Sequence, residues 1–380
     1  MFGFRNVMIY KEGEGIVRGS IQIEDGKFSS FNDDDSLQTL PEGMIIVPGF
    51  IDEHIHGANG SDAMDGTKEA LDNIASSLLK DGVTSFLATT MTMSEDKIEK
   101  SLKNIACFMK AQRRGAKVLG IHLEGPFISK KYHGAQNVED IKPLSKDLMA
   151  KLYKASENNI KIVTFAYEND GDELLKYLLD NSIVPSIGHS DCPSSLASLG
   201  IERGIKCATH TFNAMRGIHH RDIGTVGEVL IDSRVNCELI CDLHHVSPDA
   251  IKLLYMLKGN EKVILITDSM EARFLENGKY SLGGQDVYVK DGVARLIDGT
   301  LAGSTLRLNK ALKNFKDVTK CTMEQVIDMV SKNPAKNLNI YDSKGSISIG
   351  KDADFVIIDK EFNVYKTFVG GVLEYDKQEK

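Results

Sequence analysis

At 380 residues, with 42% hydrophobic and 26% charged side chains, the chain can bury a large core and is too long for a small binding module. A formal net charge of −8 argues against a nucleic-acid partner, because phosphate backbones recruit a surplus of Lys and Arg, but it allows a small anion held by one or two placed cations. Six scattered Cys with no CxxC pair, no leader pattern over residues 1–10 and no run of about 18 apolar residues predict a soluble, cytoplasmic protein without a disulfide frame.

In chain order, residues 7–10, 19–24 and 27–31 read as short strands separated by Glu12-Gly13 and by Asp25-Gly26, a hairpin signal. Short strands return at 345–351, 354–359 and 372–375, the last after Gly370-Gly371. Similar strands at both ends predict a β-sandwich domain built from residues 1–48 and 346–380. Between them strand and helix alternate. The strands fall at 44–54, 83–89, 117–124, 160–166, 183–189, 205–210, 235–242 and 263–268, with helical patterns at 68–80, 96–113, 145–157 and 172–180. Eight such strands predict a (β/α)8 TIM barrel over residues 49–345, an α/β fold. Residues 273–303 break the rhythm. Gly278, Gly283-Gly284, Asp291-Gly292 and Asp298-Gly299 punctuate short β-runs there, so a hairpin insertion near the active face is expected before helical patterns at 305–315 and 323–331.

The predicted strand ends carry the chemistry. The stretch VLGIHLEGPF, residues 118–127, climbs to Glu124 and breaks on Gly125-Pro126, presenting one acid at a strand tip. The first strand ends in Asp52-Glu53-His54-Ile55-His56-Gly57, whose two His at i, i+2 project from one side. His189, His210 and Asp268 close the fifth, sixth and eighth strands. A lone His or Asp at such a place is usually structural. Four imidazoles and carboxylates at one barrel rim instead suit a zinc- or iron-type divalent site. Such an ion polarises a carbonyl and brings the pKa of a bound water to about 7. A carboxylate free of the metal then carries the proton to a leaving amine, and Asp268 is the candidate, with helix capping as its structural alternative.

The motifs HLEGPF (122–127), IGHS (187–190), THTFNAM (209–215), DLHHV (242–246), TDSM (267–270) and GTLAGS (299–304) together resemble the amidohydrolase superfamily, and within it the N-acetylglucosamine-6-phosphate deacetylase family, across essentially the whole chain. The resemblance implies Glu124, His189 and His210 as ligands of the main metal, with His54 and His56 holding a second ion bridged by Glu124. It implies Asp268 as the proton carrier and His245 as a catalytic group that also touches substrate. It places the substrate phosphate at Asn213, Ala214, Arg221 and His245, and the sugar against Ala135, Gln136, Leu301, Ala302 and Gly303. Arg221 also has a physical basis, since a guanidinium fork suits phosphate; Arg216 is the alternative cation, and His244 beside His245 leaves a one-residue ambiguity. His219 and His220 read as exposed loop residues. In the family the Arg matching Arg221 reaches across a dimer interface, which implies a homodimer.

The expected reaction is therefore metal-dependent hydrolysis of the acetamide of N-acetylglucosamine 6-phosphate, a phosphorylated amino sugar. Two other readings are an amidohydrolase acting on a cyclic amide or nucleobase, and a non-catalytic scaffold on the same fold. Arg221 and the FNAM stretch oppose the first, and the complete ligand set opposes the second.

Overall fold

The computed structural model describes residues 2–168 and 170–378. The expected strand 44–54 is two strands in two sheets, Ile45–Pro48 and Phe50–Ile55, divided at Pro48-Gly49. A Cβ on Gly49 would stand 2.2 Å from Thr84 Oγ1, so the crossing between sheets is tight enough to need glycine. Ile45–Pro48 pairs parallel with Phe2–Lys11 on one side and antiparallel with Phe355–Ile358 on the other. Strands from both termini thus join in one mixed sheet of seven. The rings of Phe28, on edge strand Lys27–Ser30, and Phe355, four strands away, have centroids 6.0 Å apart. A flat sheet would separate them by roughly 19 Å. The sheet therefore folds over on itself, around Phe4, Ile21, Phe28, Ile46, Phe355 and Phe368.

The second sheet is the barrel. Its eight parallel strands run in the order Phe50–Ile55, Val83–Thr89, Lys117–Glu124, Ile160–Phe165, Val184–Ile187, Cys207–Ala208, Asn236–Ile240 and Val263–Ile266. Burial of both strand faces, complete throughout Val83–Thr89, fits a parallel sheet covered by helices. Those helices start where side chains cap them: Thr67 accepts from the Ala70 N–H ahead of Lys68–Leu78, and Ser145 from the Leu148 N–H ahead of Lys146–Ala155. Among the described residues no ladder joins the first and eighth strands. Residues 329–330 enter the lower seam, where Ile51 N–H donates to the Val330 carbonyl at 2.7 Å and Leu265 N–H to Met329 at 3.0 Å. At the upper end Asp268 N–H donates to the His54 carbonyl at 2.9 Å.

The insertion is a three-stranded antiparallel sheet, Gly278–Leu282, Gln285–Lys290 and Val293–Arg295, one strand more than a hairpin. Gln285 Nε2 donates to the Ala135 carbonyl at 2.5 Å, latching this sheet over the barrel mouth. Among the described residues, no helix is long and apolar enough to cross a membrane.

Candidate active site

Strand Lys117–Glu124 delivers Glu124 to the barrel mouth, and the chain leaves sharply at Gly125, with φ +73°. A Cβ there would sit 2.1 Å from Thr92 Oγ1. Glu124 lies at the centre of the site. Its Oε1 is 3.0 Å from His210 Nε2, 3.2 Å from His189 Nε2 and 3.6 Å from His54 Nε2, while Oε2 is 3.3 Å from His56 Nε2. Asp268 Oδ1 faces the same nitrogens, 3.1 Å from His56 Nε2 and 3.5 Å from His54 Nε2.

The outer ring nitrogens fix which inner ones are bare. His54 Nδ1 is 3.0 Å from Glu238 Oε2, and His189 Nδ1 is 2.9 Å from the Tyr132 carbonyl. Each bond places a ring proton on Nδ1 and aims Nε2 inward, the nitrogen a metal would take, as metal-ligating histidines require. His54 Nε2 is fully buried with no hydrogen-bond partner, and the His189 and His210 Nε2 atoms face each other at 3.1 Å. Facing lone pairs call for a cation. Ligands at about 2.1 Å from a tetrahedral ion stand roughly 3.4 Å apart, close to the spacings here. Two triads meet the requirement, Glu124–His189–His210 and His54–His56–Glu124. His122 stays out of this set: its Nδ1 bonds the Glu53 carbonyl, its Nε2 bonds Thr164 Oγ1, and burial drives its pKa down to about 4.

Charge in the cluster follows from burial set against neighbours. Burial would raise Glu124 and Asp268, yet the imidazoles around them win, holding Glu124 well below its ordinary range and Asp268 at about 2. Burial would lower His54, yet the Asp268, Glu124 and Glu238 carboxylates raise it to about 9. Below that pH a metal must displace a proton from His54, so metal binding is expected to release protons and to weaken as pH falls. Calorimetric titration of the metal-free protein in buffers of different ionisation enthalpy measures this. An affinity independent of pH and buffer would contradict it.

The cluster floors a cavity of about 360 Å³, a size suited to one small molecule. Ala135, Gln136, Asn213, Ala214 and His245 line its walls, and Leu301 and Gly303 reach it from the insertion side. His245 Nδ1 lies 2.6 Å from Asp242 Oδ2, which turns Nε2 toward the cavity. His244 is exposed, giving only its backbone N–H to Asp242, and of the two it is His245 that lines the cavity. Gln136 is committed to the cluster: its Nε2 donates to Glu124 Oε2 at 2.7 Å and its Oε1 accepts from Thr92 N–H.

Two expected contacts lie elsewhere in the single chain. Ala302 is buried under the insertion, its N–H on the Ala294 carbonyl. Arg221 is exposed outside the cavity with Nη1 on the His220 ring, and His219 is exposed beside it. Arg216 is spent on Asp191 and Asp222. The sequence reading missed Glu238, Asp242 and Arg295. The signal for Glu238 was a carboxylate inside the apolar run Asn236–Ile240. Arg295 lines the cavity, and its Nη1 donates to the Gly299 carbonyl at 2.7 Å across the Asp298-Gly299 turn.

Residues 45–373 match the model of the amidohydrolase family. The chain is 40% identical to an N-acetylglucosamine-6-phosphate deacetylase of Bacillus subtilis (strain 168), covering 99% of this chain and 97% of that one. It superposes on the crystal structure of the Thermotoga maritima N-acetylglucosamine-6-phosphate deacetylase with a TM-score of 0.90 and 36% identity, over 98% of this chain and 99% of the other. A Mycobacterium smegmatis homologue, an Asp-to-Ala mutant solved in complex with N-acetyl-D-glucosamine-6-phosphate, matches with a TM-score of 0.92 and 25% identity over 98% of this chain and 99% of that one.

Proposed function

The chain belongs to the amidohydrolase family, and we infer that the amide it hydrolyses is the acetamide of N-acetylglucosamine 6-phosphate, giving acetate and glucosamine 6-phosphate. One observation supports the chemistry most: Glu124 lies between two sets of bare imidazole nitrogens, with ionised Asp268 beside them on a cavity of substrate size. Glu124, His189 and His210 would hold one divalent ion, zinc or iron, and His54, His56 and Glu124 a second. Such ions supply an acidified water and a polarised acetamide carbonyl.

The chain's own groups do the rest. Asp268 takes the proton as the water oxygen bonds to the acetamide carbon, then gives it to the sugar nitrogen as the C–N bond breaks. His245, held at Nδ1 by Asp242, presents Nε2 to the cavity, where as the imidazolium it would donate to the developing oxyanion and the substrate. Leu301 and Gly303 offer backbone contacts to the sugar beside Ala135, while Gln136 acts by steadying Glu124.

The phosphate reading has backbone support. His210, Phe212 and Ala214 have φ of +31°, +83° and +48°, and this turn lays Asn213 and Ala214 along the cavity wall, with Asn213 N–H spent on the His210 carbonyl at 3.0 Å. Ala214 would offer its N–H to the phosphate beside Asn213, and Arg295, exposed at the rim and pinned by Gly299, would add a guanidinium. Arg295→Gln is expected to lower kcat/KM for N-acetylglucosamine 6-phosphate about 10- to 100-fold, the value of a charge-assisted hydrogen bond, and to leave the unphosphorylated sugar unaffected. Equal losses on both substrates would remove Arg295 from the phosphate site.

Arg221 would serve the same phosphate from a second copy of the chain. Exposed Ile218 beside it, with Ile231, Leu253, Met256 and Leu257 on neighbouring helices Gly224–Ile231 and Pro248–Lys258, supports a homodimer. The six Cys, all free, suit a reducing cytoplasm. The test of the function is acetate release from N-acetylglucosamine 6-phosphate beside N-acetylglucosamine. Strong preference for the phosphorylated form is expected, and indifference to phosphate would overturn the reading.

A further inference from the structure

We propose that Arg273 is a positioning residue for the reaction, clamping the residues on either side of Asp268 so that its carboxylate stays aimed at the reacting centre. The proposal rests on the reading of Asp268 as the proton carrier. Asp268 has φ +48°, a left-handed conformation that non-glycine residues adopt only where the surroundings enforce it. It sits at the barrel seam, where its N–H donates to the His54 carbonyl at 2.9 Å, its carbonyl accepts from Ser304 N–H at 2.8 Å, and Ser269 forms a parallel bridge with Ser304. These bonds hold the backbone of the turn, and side-chain bonds to the residues on either side add to them.

The guanidinium of Arg273 is placed to do so. It is wholly buried, and Nη1 donates to Thr267 Oγ1 at 3.4 Å and to Ser269 Oγ at 3.2 Å, the two neighbours of Asp268. Thr267 passes its own proton to Asp52 Oδ2 at 2.6 Å, and Ser269 donates to the Gly57 carbonyl at 3.0 Å. Asp52 and Gly57 flank the His54–His56 pair, so the clamp registers Asp268 against those imidazoles as well. Nε and Nη2 of Arg273 are anchored on Asp81 Oδ2 at 3.2 and 2.5 Å, and Arg307 grips the other oxygen of Asp81. The Phe274 ring packs on both guanidinium groups, 5.2 Å from each. A lysine could not fill this place, since three directions of donation from one buried cation need the planar fork.

Removing Arg273 alone would strip the buried Asp81 carboxylate of one of its two cations, leaving only Arg307, so the first variant is Arg273→Met with Asp81→Asn, which takes out that buried charge pair together. In the folded, metal-replete double variant kcat is expected to fall about 100-fold, the cost of a misplacement near 1 Å, with KM within about threefold of wild type. Metal per chain should match wild type, and a crystal structure should show Asp268 out of its left-handed conformation. The milder Thr267→Val keeps the shape and removes the hydroxyl link. It is expected to lower kcat about 10-fold at unchanged KM, and it decides the matter if the double variant fails to fold. Wild-type kcat in either folded variant, or a kcat loss matched by metal loss or by a rise in KM, would overturn the proposal. Asp268→Asn run alongside separates the two layers: if that variant keeps its kcat, the reading of Asp268 fails regardless of Arg273.

Discussion

Asp268→Asn is expected to lower kcat about 10³- to 10⁴-fold, the upper range for loss of a general acid–base group. At 1.36 kcal/mol per tenfold this is about 4 to 5.5 kcal/mol of transition-state stabilisation. The effect should be clean. Asn fills the same volume and is among the few residues that tolerate the left-handed backbone seen at Asp268, so the fold and the neighbouring imidazoles should keep their places. In the metal-free protein the carboxylate is held at about 2 by His54 and His56 against the effect of burial, so it is in its base form at neutral pH. Raising the pH should not rescue the variant, because Asn has no carboxylate to ionise. The check is kcat at matched metal content across pH 6 to 9, and near-normal turnover would remove Asp268 from the mechanism.

Glu124→Gln should be at least as damaging, for a different reason. Glu124 touches all four imidazoles, one oxygen toward His189, His210 and His54 and the other toward His56. Its loss removes the shared anion from both candidate metal triads at once. Replacing a group that merely orients a ligand costs 10- to 100-fold in metal affinity, so losing the central ligand should cost more than about 100-fold. Under conditions that load the wild type, the variant should carry little metal and show kcat/KM lowered by about 10⁴ or more. Added metal should recover only part of it. Full metal content with low activity would mean that Glu124 acts on the substrate and not on the ion.

The two variants probe groups whose legibility in the sequence differed from that of their supports. Strands Lys117–Glu124 and Val83–Thr89 and helix Asp172–Asp180 stand where periodicity placed them, because apolar runs bounded by breakers carry a local signal. The run across Pro48-Gly49 misled, since its apolar residues serve two sheets and only tertiary pairing shows where one ends. The sixth strand shrank to Cys207–Ala208, because the following residues leave the ladder to build the left-handed turn at His210. Glu124, His54, His56, His189, His210 and Asp268 were readable because each ends a strand at one rim. Their supports were not. His54 meets Glu238 and Arg273 meets Asp81 across nearly two hundred residues, and no local pattern announces such a pair. Arg221 was read from its guanidinium and its spacing from the FNAM stretch, while Arg295, the cation on the wall of this chain's cavity, hides in the irregular insertion.

The most direct test of the central claim strips the wild-type protein of metal with a chelator, verifies removal by elemental analysis, and follows acetate release from N-acetylglucosamine 6-phosphate as one divalent ion at a time is returned. Activity should vanish with the ions and return in step with one or two per chain, as the two triads around Glu124 require. Undiminished acetate release from protein shown to be metal-free would contradict it.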